Sequence, residues 1–177
     1  GNVLSPVQLL FVTFFIGIFP AIGISTDSSE PGIMDLPPRA PSKTILNSRT
    51  TPRWLVFGLS QALVGLAPFV YPEQLPVNIQ QTLAFAIVAV STILMAVSLR
   101  RDVVPAWHGP YFPFFKWMAI PGFVTWLAIE WPLFQELLMT TSLSGQQWAS
   151  AIILALVPSM IIETEKALRV YRRTARL

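Results

Sequence analysis

The chain contains no cysteine and a single histidine, His108. Disulfides and thiolate metal sites are therefore excluded, and one imidazole cannot build a histidine-based metal centre. Charge is scarce as well: 12% of the residues are charged, where ordinary soluble domains carry about 25%. That is too little polar surface to cover a water-facing globule of 177 residues. No charge occurs between Gly1 and Thr26, so the opening segment lacks the basic start of a cleavable signal peptide. The phosphate-binding runs G-x-x-x-x-G-K-[ST] and G-x-G-x-x-G are missing too.

Apolar residues are abundant, at 53% of the chain with a mean hydropathy of +0.58. They fall into five stretches separated by polar segments. The expected fold is all-α: a single polytopic membrane domain over 1–177 with helices near 6–26, 54–72, 78–99, 112–133 and 145–168. Each is close to the ~20 residues that a ~30 Å hydrocarbon core requires. The fourth is the least regular, because only thirteen uncharged residues, WMAIPGFVTWLAI, separate Lys116 from Glu130. It reaches full length if Lys116 snorkels to one interface and Glu130 sits near the other.

The basic residues give an independent test. All twelve lie in the segments 27–53 and 100–116 and the tail 166–177, which five spans place on one side. Positive-inside topology then puts the N-terminus outside and the C-terminus in the cytoplasm. With four spans, the tail's five basic residues would move outside and leave seven against five. Trp54, Tyr71, Trp117, Trp131 and Trp148 fall near proposed helix ends, as interfacial aromatics do. Gly58, Ala62 and Gly65 in the second helix, and Ala151, Ala155 and Ser159 in the fifth, form small-residue faces suited to close helix contact.

Polar groups within the proposed spans are Thr13, Ser60, Gln61, Thr82, Ser91, Thr92, Thr125 and Ser159. Bonds within or between helices are their expected role. Asp27 and Glu30 read as a solvated helix exit, His108 as a solvated or loop-packing residue, and Glu130 as interfacial. Glu163 and Glu165 mark the end of the last helix. The tail EKALRVYRRTARL then continues as a basic helix able to touch anionic lipid. Nucleic acid is not an expected partner, since topology accounts for the positive charge.

One stretch breaks the helix rules. LLFVTFFIGIFPAIGIST holds Gly17, Pro20 and Gly23 inside an apolar span, where proline and glycine destabilise a helix. With its flanks, LSPVQLLFVTFFIGIFPAIGISTDSSEPGIMDLPPRAP resembles the sixth membrane helix and following loop of P-type cation-transporting ATPases. The matching positions are Leu4, Pro6, Gln8, Leu10, Pro20 and Ala21, then Glu30, Pro31, Met34, Pro37, Pro38, Arg39 and Pro41. SLSGQQW and IIETEKALR resemble that family's approach to its last helix and its closing E-x-x-K-x-x-R. Nearly the whole chain is covered, as helices six to ten.

The resemblance implies a sixth helix locally unwound around its proline, with freed oxygens that bind the cation. It also implies a departure: Thr13, Ile16 and Gly17 stand where the family usually places Asn, Thr and Asp. Thr13, Gly17 and Pro20 are the candidate ion-site remnant, with no cofactor implied beyond a cation if transport is retained. The D-K-T-G-T phosphorylation motif and the nucleotide-binding portion are not in this sequence. By this reading the chain is not an enzyme on its own. Two roles stay open: part of a larger cation pump, or a degenerate, non-catalytic structural or accessory subunit of a larger membrane complex. Either role implies the lipid bilayer and other membrane polypeptides as partners. The expected location is a plasma or inner membrane, with an organelle membrane as the alternative.

Overall fold

The computed structural model describes residues 3–29, 34, 38, 50–70, 75–101, 106 and 112–174. Glu30, Tyr71, His108, Arg39, Lys43, Arg49 and most of the proline-rich motif lie outside the described residues, as do the side chains of Arg172, Arg173 and Arg176. Among the described residues all regular structure is helical. Helix α1 (Pro6–Phe11) runs through a π turn (Val12–Ile16) into α2 (Gly17–Ser25). Then come α3 (Thr50–Val70), α4 (Val77–Leu99), α5 (Phe112–Glu130), α6 (Pro132–Leu138) and α7 (Gly145–Thr174).

Helix α4 is the hub. Its sequence is apolar or small on every side, which suits a helix surrounded by others, and it packs most extensively on α7 and α3 and also touches α2 and α5. Helix α3 buries only one face, carrying Phe57, Ser60, Val64, Gly65 and Pro68. Its other side presents Leu55, Val56, Leu59, Leu63 and Leu66 outward, where hydrocarbon rather than water is the compatible neighbour. Gln61 bridges α3 to α4, its amide donating to Thr92 Oγ1 at 2.8 Å, Ser91 Oγ at 3.1 Å and Val88 O at 3.4 Å. Thr82 and Thr125 bond back to carbonyls of their own helices, at 2.8 and 2.7 Å.

Among the described residues, three helical segments, Pro6–Ser25, Thr50–Val70 and Val77–Leu99, are long and apolar enough to cross a membrane. The described residues thus give three candidate spans where the sequence reading expects five. Helix α5 carries Lys116 near its start and ends on Glu130, while α7 opens on Gly-Gln-Gln and its final third is charged. The fourth helix also stops at Glu130 rather than 133. Pro132 disfavours helical geometry in the residue before it, and Trp131 is extended at φ −93° and ψ 123°. Pro132 has no N–H to offer the Ala128 carbonyl, and the Thr140 hydroxyl donates to it instead. Helix α3 is already helical at Thr50 rather than from 54, its expected end at 72 lies outside the described residues, and α7 runs to Thr174 instead of 168.

Polar contacts tie both ends of the bundle. At one end, Arg53 pairs with Glu165 at 3.1 Å, and the buried Lys166 ammonium donates to Ser98 O and to Glu163 at 2.7 Å. Arg100 lies over the Phe114 ring at 5.1 Å, bringing the start of α5 to this end. At the other end, Trp148 Nε1 donates to Glu130 at 2.8 Å, Asn78 to Thr141 at 3.2 Å, and Thr141 N to Thr82 at 3.0 Å. Lys116 is exposed, with its ammonium 5.4 Å from the Trp117 ring centre.

Only one of the two small-residue faces works as a unit. Ala151, Ala155 and Ser159 are all buried. In α3 the expectation fails beyond Gly65, because Gly58 and Ala62 face outward. A methyl at Gly65 would lie 2.9 Å from Val88 Cγ2, whereas one at Gly58 meets nothing within 4 Å. Gly65→Ala is therefore expected to destabilise by about 1–3 kcal/mol through overpacking against a stiff, β-branched neighbour. Gly58→Ala should gain about 0.5–1 kcal/mol from helix propensity. Unfolding midpoints in detergent micelles compare the two, and the opposite order would contradict this packing.

Candidate functional site

The broken helix is built in three steps. Its start is capped twice: Ser5 Oγ accepts from Gln8 N at 3.2 Å, and Ser5 N donates to Gln8 Oε1 at 2.9 Å. Pro6 follows the cap, where the missing N–H costs nothing. Gln8 is buried and its amide also reaches Leu138 O at 3.0 Å, fastening α1 to α6. The S-P-x-Q signature is thus a capping box with a tertiary anchor.

Next comes the π turn. Gly17 N–H reaches back five residues to Val12 O. Three residues on, Pro20 supplies no N–H for the Ile16 carbonyl. π turns of this kind recur at functional sites. The expected local unwinding takes this milder form, since Val12, Ile16 and Gly17 all keep right-handed helical backbone angles.

The three candidate residues do not share one face. Thr13 is exposed, with its hydroxyl donating to Leu9 O at 2.8 Å, and Gly17 is half-buried one turn further on. Pro20 is buried on the inner side, as are Val12, Ile16 and Gly23. Around Thr13 and Gly17 the outward surface is Leu9, Leu10, Phe14 and Ile18, all exposed. A methyl at Gly17 would touch only Val12 O, at 3.8 Å. Among the described residues no three His, Asp or Glu side chains converge. The oxygen donors at this break are backbone carbonyls and one hydroxyl.

A family model described as the C-terminus of cation transporting ATPases matches residues 1–168. The chain belongs to that family. A search among curated proteins finds no match.

This ATPase C-terminal region holds a second polar centre that the sequence reading misplaced. Asp27 is not solvated: its side chain is 7% exposed and that of Arg100 is 0% exposed. The Arg100 guanidinium grips Asp27 with two donors, Nη2 reaching Oδ1 at 2.9 Å and Nε bonding Oδ2. Arg101 lies 3.5 Å from the same carboxylate and donates to Ser28 O at 2.7 Å and Ser28 Oγ at 3.0 Å. Burial pushes the Asp27 carboxyl up, but the Arg100 bond and the charges of Arg100 and Arg101 outweigh it and hold the group below its usual range. The clamp joins the end of α2 to the end of α4. A visible sign of it was an acid just past one span and an Arg-Arg pair just past another, on the same expected side. Glu130 is half-buried and bound by Trp148 and by Leu143 N, which places it as a structural anchor between α5 and α7.

Proposed function

We propose that this chain is the C-terminal part of a cation pump's transport domain, working with membrane helices and catalytic domains supplied outside it. The observation that carries the reading is the outward-facing break at Thr13–Gly17 in a chain matched over residues 1–168 to the ATPase C-terminal family. A half-site of this kind needs a second set of helices to complete its oxygen cage. Backbone carbonyls freed near Pro20 are tolerable at membrane depth when they line a protein-shielded cavity. In this reading the chain makes no covalent chemistry of its own. It contributes oxygens and a deformable segment, while ATP hydrolysis belongs to the rest of the pump.

The membrane disposition we favour keeps five spans, with α5 and α7 crossing beside α4. Arg53, Arg100, Arg101, Lys116, Lys166 and Arg169 gather at one end of the bundle, and the acidic residues Glu130 and Glu136 belong to the other. The positive-inside bias then makes the basic end cytoplasmic.

Because the chain has no cysteine, single substitutions are clean reporters. Ser29→Cys is expected to react with a membrane-impermeant thiol reagent only from the cytoplasmic side, and Ser142→Cys only from the outside. Both reacting from one side would remove the five-span arrangement. Function is tested in the assembled pump with Thr13→Val, which deletes one hydroxyl at the break. A ligand bond worth about 1–2 kcal/mol corresponds to roughly 5–30-fold weaker apparent cation affinity. Unchanged affinity in ion-dependent transport would take Thr13 out of the site.

A further inference from the structure

At the end of the bundle opposite the arginine clamp, α3, α4 and α7 part around a cavity of about 530 Å³. Leu83, Ile87 and Leu154 form its apolar floor, and Ser144, Gln146 and Ser150 its polar rim. Helices α3 and α7 are held together at the basic end by the Arg53–Glu165 pair. Towards the other end they stand apart, with Ala67 on one wall and Ile153 on the other.

We propose that this cavity is a lipid site: it seats one acyl chain of a phospholipid whose headgroup carries no net charge. The inference rests on the membrane reading above. Three observations select this occupant. The volume lies within the roughly 300–1,000 Å³ of small-molecule sites, and it is too small for a partner helix about 10–12 Å across. The lining is amphipathic in the sense a lipid needs, with hydrocarbon below and neutral amides and hydroxyls above. Ser144 and Gln147 cap α7 reciprocally at 2.8 and 3.3 Å, which fixes two neutral polar side chains among the lining residues.

Charge decides the headgroup. The described lysines and arginines belong to the opposite end, and the charged side chains described at this end are Glu130 and Glu136. An anionic headgroup would find no cation on the described rim. A phosphocholine headgroup needs none, because its own charges cancel.

The test uses the full chain in vesicles of phosphatidylcholine doped with an analogue that carries a photoreactive diazirine on one acyl chain. Crosslinked positions are mapped by mass spectrometry. Leu83 and Ile87 are buried from the outer surface of the bundle, so bulk lipid cannot label them except through the cavity. Labelling at both is expected, with loss of most of it in Ala67→Phe and again in Ile153→Trp, two variants that fill the opening from different helices. Labelling at Leu59 and Leu63 on the outer face of α3 reports membrane insertion and should persist in both variants. Label at Leu59 and Leu63 with none at Leu83 or Ile87 would overturn the lipid site and leave the membrane reading standing. Failure to label Leu59 and Leu63 would instead overturn the membrane reading. A phosphatidylserine analogue that labels Leu83 more strongly than phosphatidylcholine would overturn the neutral-headgroup assignment.

Discussion

Asp27→Ala is expected to cost about 3–5 kcal/mol of stability, the typical penalty for removing one partner of a buried ion pair. The Arg100 side chain is fully buried and grips the carboxylate through two of its donors. Removing Asp27 takes two charge-assisted bonds from that buried guanidinium, for which Ala106 O at 3.5 Å and the Phe114 ring, neither of them charged, do not substitute. Arg101 is affected less, because Ser28 still accepts two of its bonds.

The double variant Asp27→Leu/Arg100→Met should recover most of the loss, since an apolar pair of similar volume avoids the desolvation cost altogether. Unfolding in detergent micelles measures both. The pH dependence has a definite sign. The Asp27 carboxyl is held below its ordinary value, so its contribution is present above that value and is lost as pH falls through the lower, folded one. Asp27→Asn should therefore flatten the acid limb of the stability curve and leave its shape above neutrality unchanged. An Asp27→Ala midpoint within about 0.5 kcal/mol of the parent would mean that the clamp is not a stabilising element.

Several features were legible in the sequence because they depend on local rules. Hydropathy located the helices, and the proline in WPLF marked where the fourth would end, although the reading carried that helix past it to 133. The S-P-x-Q run could be matched to a family pattern, but its capping role follows from which atoms meet, and the Gln8–Leu138 contact spans most of the chain. Asp27 was misread for a related reason. A lone acid after a helix is usually solvated, and only the parallel arrangement of α2 and α4, whose C-terminal ends meet, delivers two arginines to it. The Gly58–Ala62–Gly65 stripe failed because small residues permit close approach without choosing the face that makes it. Tertiary packing rotated α3 so that Gly65 alone meets α4.

The candidate site shows the same division. Thr13, Gly17 and Pro20 could be picked out by type and by resemblance, yet the π turn distributes them over two faces. Pro20 shapes the inner side, while Thr13 and Gly17 look away from the chain's own core. That outward position, which no local rule reveals, is what gives the proposal its content. In the proposed function, this outward face is where the remaining helices of a pump would stand.

Gly17→Leu in the assembled pump tests this most directly. Within the chain a Cβ at this position meets only Val12 O, at 3.8 Å, and leucine favours a helix over glycine by about 0.5–1 kcal/mol. At the interface it places an isobutyl group on the smallest point of the outward face, which should prevent the other helices from closing around the cation. The measurement is ion-dependent transport beside the unfolding midpoint of the isolated chain. Loss of transport with an unchanged or slightly higher midpoint is the expected result. Full transport with unaltered cation affinity would contradict the account, because the break at Thr13–Gly17 would then have no part in the ion's path.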